Sequence, residues 1–144
     1  RQFVQDIRNV PLDGVVYSNQ HTRAVGFLTN DGANILQNRM EAEQRDKKLN
    51  HSTVQVTINS VLPMEGGKSY QVRWTEVEYK LGSGQKEITP YTGVFTTEII
   101  KTNDKEKLAV NPLGIYIKDL RWERDTETKT SNADGGNVQK TVKQ

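Results

Sequence analysis

The chain contains no cysteine among its 144 residues. Disulfide bonds, thiolate metal sites and a cysteine nucleophile are therefore excluded, while the redox environment stays open. The two histidines, His21 and His51, do not have the spacing of a metal-binding pair. No apolar run approaches the roughly 20 residues that span a bilayer, and no secretory signal is visible. Because Arg1 opens inside a helical pattern without a methionine, we expect an excised domain whose targeting or anchoring segment has been removed.

The charge balance is also small, with 20 basic against 18 acidic residues and a formal net charge of +2. A net charge of this size does not by itself indicate a nucleic-acid-binding protein. Hydrophobic residues make up 33% of the chain and charged residues 26%. The length favours one domain with a real core, and the polar composition leaves part of the chain outside that core.

The first 48 residues show helical periodicity. Phe3, Ile7 and Val10 recur at helical spacing, and Pro11 ends that pattern. Side chains suited to N-caps begin the next two helices. The predicted helices are residues 1–10, a helix capped by Asp13, and a third capped by Thr29 or Asn30 that continues to Lys48.

From Ser52 the apolar period changes to two, which is typical of strands. Four strands separated by short connections are predicted, at residues 52–62, 70–81, 88–100 and 115–122. In the second strand the apolar face changes after Trp74, which predicts a bulge or a sheet half covered on both sides. Helices followed by hairpin-connected strands predict an α+β fold, three helices packed against a curved antiparallel sheet.

The last predicted strand places Ile115 and Ile117 on a buried face, and Leu120 and Trp122 on an amphipathic one. After Trp122 the apolar signal stops. Residues 1–124 are therefore predicted to form the domain, and residues 125–144 a flexible polar tail, because the tail has too few apolar residues to offset its ordering.

The turn before this strand is Asn111-Pro112-Leu113-Gly114. Its backbone conformation is the most strongly determined by the local sequence. Pro112 restricts its own φ and pushes Asn111 toward an extended conformation, while Gly114 permits angles that other residues resist. A rigid turn presents fixed polar groups with little entropy left to lose on docking. We therefore expect this turn to carry a function other than packing.

Two short segments imitate catalytic motifs. Gly67-Lys68-Ser69 resembles the end of a phosphate-binding loop, but Leu62 stands where the loop needs glycine and a strand follows, so a hairpin turn is favoured. Glu76 and Glu78 share one strand face about 6.5 Å apart, a spacing that suits acid/base chemistry if one is buried. Ordinary burial preferences favour surface exposure of both.

The remaining candidates favour structural roles. His21 lies in an apolar helical stripe and His51 at a strand entrance, and there is no Gly-x-Ser-x-Gly elbow. A stacking platform for single-stranded nucleic acid would use Trp74, Trp122, Tyr70, Tyr91 and Tyr116. Acidic residues are as near to these aromatics as basic ones, so filling of the core is favoured.

Three segments carry a family resemblance: Gln71–Glu76, Thr92–Ile99, and Asn111-Pro112-Leu113-Gly114. Together they resemble the periplasmic domain of the TrbF/VirB-eight family of type IV secretion and conjugative transfer proteins. The opening Phe3–Pro11 and the helix from Asp13 to Leu28 are similar to the TrbF version of the helical half. The resemblance covers about residues 3–124.

The resemblance implies a nuclear-transport-factor-two-like fold and a non-enzymatic assembly factor that binds neither cofactor nor metal. It implies self-association, with Asn111, Pro112 and Gly114 at the interface, and contacts with other secretion subunits. It also implies an N-terminal cytoplasmic stub and one inner-membrane helix before Arg1. This domain would then lie in the periplasm, or outside the membrane in a Gram-positive host.

Two other functions stay open. A cone-shaped fold of this kind can enclose a pocket for a small molecule or for acid/base catalysis, and Tyr91 with Glu76 is the candidate pair. Contact with single-stranded DNA during transfer is the other, and it requires an affinity that weakens as salt rises.

Overall fold

The computed structural model describes residues 1–125 and 129–130. The described helices are Gln2–Arg8 (α1), Gly14–Val25 (α2), Asn30–Glu43 (α3) and Lys105–Val110 (α4), with a 3-10 helix at Arg45–Lys48. The strands are Ser52–Pro63 (β1), Ser69–Lys80 (β2), Lys86–Ile99 (β3), Ile115–Arg124 (β4) and Lys129–Thr130 (β5). The predicted α+β class, with three leading helices and four antiparallel strands, is confirmed.

Side-chain caps begin α2 and α3 where the sequence predicts them. The Asp13 carboxylate accepts a hydrogen bond from the Val15 N–H at 2.7 Å, and the Thr29 hydroxyl accepts one from Gly32 at 3.0 Å. The end of α3 differs from the prediction. Gln44 adopts a left-handed conformation with φ of 52°, so the α-helix stops at Glu43 and the chain continues as a 3-10 helix.

The sheet has the strand order β1-β2-β3-β4, all antiparallel, and β5 pairs with the part of β3 that β4 leaves uncovered. For β2 the sequence predicts either a bulge or coverage on both sides; the bulge lies not in β2 but in β1, where Asn59 is the extra residue between Ile58 and Ser60. The register of β2 with β3 is continuous, and its inner face runs from Val72 to Glu76. Glu76 therefore points into the fold.

The face assignment predicted for β4 was correct for Ile117, which packs half-buried against the core, and wrong for Ile115, Leu120 and Trp122. Leu120 and Trp122 are its buried residues, while Ile115 is 39% exposed. The cause is a second bulge, in which Lys118 is the extra residue opposite Thr96 and Thr97. One inserted residue moves every later side chain to the opposite face.

The connection between β3 and β4, predicted only as a short link between strands, contains α4. Asp104 caps this six-residue helix by accepting a hydrogen bond from the Glu106 N–H, and none of its residues is buried. At the C-terminus, Lys129–Thr130 pair with β3 as β5. The rest of the predicted flexible tail, residues 126–128 and 131–144, lies outside the described residues, so the tail stays a prediction.

The core lies between the helices and the concave face of the sheet. In the described part of the chain, the sheet does not close on itself. Helical side chains such as Ile7, Leu36 and Met40 pack against Trp74, Phe95 and Trp122 of the strands. Val10 also pairs with Val54 of β1, which fixes the end of α1 to one sheet edge. Among the described helices, none combines the length and apolar character needed to cross a bilayer.

Candidate interaction site

The turn Asn111–Gly114 joins α4 to β4 and is closed by backbone hydrogen bonds. The Asn111 N–H donates to the Lys107 carbonyl at 2.8 Å, and the Gly114 N–H donates to the Asn111 carbonyl at 3.0 Å. Asn111 itself is 3% exposed. The turn is therefore continuous with the helix before it and anchored in the protein by its first residue.

The side chain of Asn111 holds the beginning of β4. Its amide nitrogen donates to the Ile115 carbonyl at 2.7 Å, and its amide oxygen accepts from the Ile115 N–H at 3.3 Å. An amide supplies a donor and an acceptor together, which a carboxylate or a hydrocarbon side chain does not. Asn111 thus acts as a short substitute for a neighbouring strand.

Gly114 is required by its backbone angle and by space. Its φ is +65°, a left-handed value that favours glycine. A Cβ there would lie 2.4 Å from the carbonyl oxygen of Ile100. The Gly114 carbonyl in turn accepts a hydrogen bond from the Ile100 N–H at 2.8 Å. The close approach fixes the turn against the end of β3.

The outward part of the turn is apolar. Leu113 is 75% exposed and follows an exposed Pro112. Three other hydrophobic residues are also exposed: Val110 and Ile115 flank the turn in sequence, and Ile99 is the direct neighbour of Ile115 across β3 and β4. We call these four residues the docking patch: Ile99, Val110, Leu113 and Ile115. Clustered exposed hydrophobic residues mark interaction surfaces more often than isolated ones do.

A second notable site is a group of charges beneath the sheet's concave face, which we call the buried charge cluster: Arg8, Glu43, Arg45 and Glu76. The Arg8 guanidinium donates to Glu76, and Arg45 donates to the other Glu76 oxygen at 3.0 Å. The Trp74 indole also donates to Glu76, at 2.9 Å. Glu76, predicted to be exposed, is 5% exposed because it continues the inner face of β2.

Glu43 completes the cluster from α3. Burial raises the pKa of its carboxyl, but Arg8, Arg39 and the Trp122 indole outweigh burial and lower that pKa to about 2. The distances from Glu43 are 2.6 Å to Arg8, 2.9 Å to Arg39 and 2.8 Å to the indole nitrogen. Glu43 is therefore held as a carboxylate that binds helix α1 to α3 and β4.

The enzymatic alternative needs an enclosed pocket in which Tyr91 and Glu76 could act as an acid/base pair, and side chains fill most of that interior. Trp74, Trp122 and Arg8 fill the cone with at most 1% exposure, and the Arg8 guanidinium lies 5.0 Å from the centre of the Tyr91 ring. A polar recess of about 340 Å³ lies beside Tyr91 and Glu76. Both oxygens of Glu76 already accept hydrogen bonds from cationic donors. Neither carboxylate oxygen of Glu76 therefore lacks a hydrogen-bond partner within the protein.

The other predicted candidates have structural roles. Gly66 and Gly67 adopt positive φ in the β1–β2 hairpin, and β2 begins at Ser69, so no helix faces a phosphate there. The ring of His21 packs edge-on against Tyr17 at 4.7 Å, and burial lowers its pKa. His51 is exposed. Within residues 1–125 and 129–130, no group of three potential metal ligands forms.

The two tryptophans of the aromatic platform, which the sequence analysis weighed and disfavoured, are not on the surface. Trp74 stacks on Tyr91 with ring centres 5.6 Å apart, and Trp122 meets Trp74 edge-on at 6.4 Å. Both tryptophans are buried, and Tyr70 and Tyr116 are half-buried. Unstacked bases need an accessible ring face. Trp74, Trp122 and Tyr91 therefore belong to the core, as the sequence analysis favours.

Fold and site together define a class: a curved-sheet α+β domain with a filled interior and an exposed apolar turn. The family model described as VirB8 protein matches residues 1–125. The chain therefore belongs to the VirB8 protein family, whose members are membrane-associated components of type IV secretion and conjugal transfer systems. This confirms the resemblance seen in the sequence.

Individual relatives agree with this assignment. The chain is 29% identical over 122 residues to a conjugal transfer protein TrbF from Rhizobium radiobacter, covering 83% of this chain and 55% of that protein. The solved structure of Agrobacterium tumefaciens VirB8 matches with a TM-score of 0.72 at 14% identity, over 89% of each chain. A TrwG component from Bartonella birtlesii matches with a TM-score of 0.70 at 18% identity, over 86% of each.

Proposed function

We propose that this chain is a non-enzymatic assembly domain of a conjugative type IV secretion complex. It acts through self-association and through contacts with other secretion subunits. The docking patch carries the proposal, because its most exposed residue, Leu113, is 75% exposed on a turn whose flanking residues are rigidly held. Rigid presentation of an apolar side chain reduces the entropy lost on association.

Membership of a membrane-associated family supports the proposed location. One membrane helix ahead of Arg1 would anchor the protein in the inner membrane and place this domain in the periplasm, or outside the membrane of a Gram-positive host. Anchoring concentrates partners in two dimensions, so an interface too small to hold isolated domains together becomes effective. Self-association is therefore expected to be weak in solution.

Leu113→Ser tests the proposal, with Leu62→Ser as the matched control. Leu62 is also exposed, at 53%, but lies at the end of β1 on the β1–β2 hairpin. Sedimentation of the isolated chain at high concentration should show self-association weakened about fivefold or more by the first change, the scale of one interface anchor. The control should match the wild type.

The same two substitutions in the full-length protein test the biological role. Leu113→Ser should reduce conjugal transfer while protein level and membrane association stay normal. Co-purification with other subunits separates the two kinds of contact, since a hetero-interface elsewhere would survive the change. Equal behaviour of Leu113→Ser and Leu62→Ser in sedimentation and in transfer would refute the assignment of the patch.

A further inference from the structure

Helix α4 supports the docking patch, yet its own packing is sparse. It has six residues, none of them buried, and its last residue, Val110, is 51% exposed. Val110 nevertheless lies against Gly26, which ends α2. A Cβ at Gly26 would lie 2.7 Å from Cγ1 of Val110. This is closer than real Cβ contacts, so α4 approaches α2 as only glycine allows.

We propose that Gly26 is a positioning residue that sets the placement of α4 and hence of the docking patch. The inference rests on the proposed self-association of this surface. The α4–turn segment is then held at two points, by Val110 against Gly26 and by Gly114 against Ile100. The first contact determines where the helix lies, and the second where the turn ends.

Space, and not backbone conformation, explains the glycine at position 26. Its φ of −61° and ψ of −14° are right-handed helical values that any residue adopts. This distinguishes it from Gly114, whose φ is positive. An alanine at position 26 should therefore leave α2 intact, since alanine is the stronger helix former.

The strain of an added methyl group would fall on α4. Valine in a helix has one strongly preferred side-chain rotamer, so Val110 cannot simply rotate away. The element on the opposite side of this contact is α2, which is anchored in the core by Ala24 at 0% exposure. The less anchored element, α4, is the one that moves. The turn beginning at Asn111 follows it.

The experiment measures self-association and thermal stability of Gly26→Ala, with Gly14→Ala as the matched control. Gly14 is the first residue of the same helix, and a Cβ there meets its nearest neighbour at an ordinary 3.6 Å. Gly26→Ala should weaken self-association about fivefold while the melting temperature stays within about 4 °C. Gly14→Ala should change neither.

A second substitution that restores self-association distinguishes a positioning role of Gly26 from a general loss of structure. Gly26→Ala combined with Val110→Ala removes the opposing methyl groups and should restore self-association to within about twofold of Val110→Ala alone. Backbone amide shifts in Gly26→Ala should change in α4 and residues 111–115, with the sheet unaffected. Failure of the double variant to recover, or unfolding of Gly26→Ala, would overturn the role given to Gly26.

The outcomes separate this inference from the proposed function. If Leu113→Ser weakens self-association and Gly26→Ala does not, the positioning role is wrong and the docking patch stands. If the wild-type chain does not self-associate, or Leu113→Ser has no effect, the proposed function fails and the role of Gly26 falls with it.

Discussion

The Arg8 guanidinium lies against the Glu76 carboxylate, and both side chains are removed from solvent, with exposures of 0% and 6%. Arg8 comes from the first helix and Glu76 from the second strand. Arg8 also contacts Glu43 of α3 and lies 4.8 Å from the Trp122 ring centre of β4. One cation thus links the helices to the sheet.

Replacement of Arg8 by methionine is expected to destabilise the fold by about 3 kcal/mol, because the buried Glu76 carboxylate loses one of its two guanidinium partners and keeps only Arg45. Lys48→Met is the control, since the Lys48–Glu78 pair is half-exposed and should cost less than about 1 kcal/mol. Urea unfolding measures both. Equal losses in the two variants would contradict the structural role given to the cluster.

Acid should weaken the fold through Glu43. Its folded-state pKa of about 2 lies below the ordinary glutamate value of 4.5, so its contribution is fully present above pH 4.5. That contribution is lost as pH falls from 4.5 toward 2, and amounts to about 2 kcal/mol once partial solvent screening is allowed for. Urea midpoints measured between pH 7 and pH 2.5 should fall less steeply in Glu43→Gln than in the wild type. Parallel curves would exclude Glu43 as the source.

Gly114→Ala is expected to destabilise more than Gly66→Ala. Both glycines have positive φ, which costs an alanine about 1–2 kcal/mol. A Cβ at Gly66 meets nothing within 4 Å, whereas one at Gly114 would clash with the backbone of Ile100. Thermal unfolding should therefore separate the two variants, and sedimentation should show weaker self-association for Gly114→Ala alone. Indistinguishable melting curves would argue against the close approach.

Asn111→Asp tests the two hydrogen bonds that the Asn111 side chain makes with the backbone of Ile115. The carboxylate keeps the acceptor but loses the donor, and it faces the Ile115 carbonyl oxygen at the position now held by the amide nitrogen. Loss of a buried hydrogen bond with an unpaired group costs about 1–3 kcal/mol. Hydrogen exchange of the Ile115 amide should accelerate relative to the wild type. Unchanged exchange would show that backbone bonds alone hold the turn.

Several features of the fold are written locally in the sequence. The caps Asp13 and Thr29 begin their helices as predicted, because each bonds a backbone N–H two or three residues away. The hairpin at Gly66–Gly67 and the turn at Gly114 also follow from local backbone preferences. The helix-then-strand order and the resemblance to the family could also be predicted from the sequence, because they too depend on local sequence patterns.

Features that depend on the register between paired strands could not be predicted from the sequence alone. Alternation alone placed Leu120 and Trp122 on the face opposite Ile117, but the bulge at Lys118 brings all three to the core side of β4. The same limit applies to Glu76, whose burial follows from an uninterrupted β2 and a bulge in its neighbour. Bulges depend on how two strands pair, which neither strand encodes separately.

The sequence by itself determined the class of fold, the family and the rigid Asn111–Gly114 turn, because caps, periodicity and backbone restrictions act over a few residues. Tertiary structure alone decided that Arg8 and Glu76, 68 positions apart, form a buried pair. It also decided that Val110 rests on Gly26. Such contacts arise when distant elements pack, and burial of a charge is stable only once its partner has been brought to it.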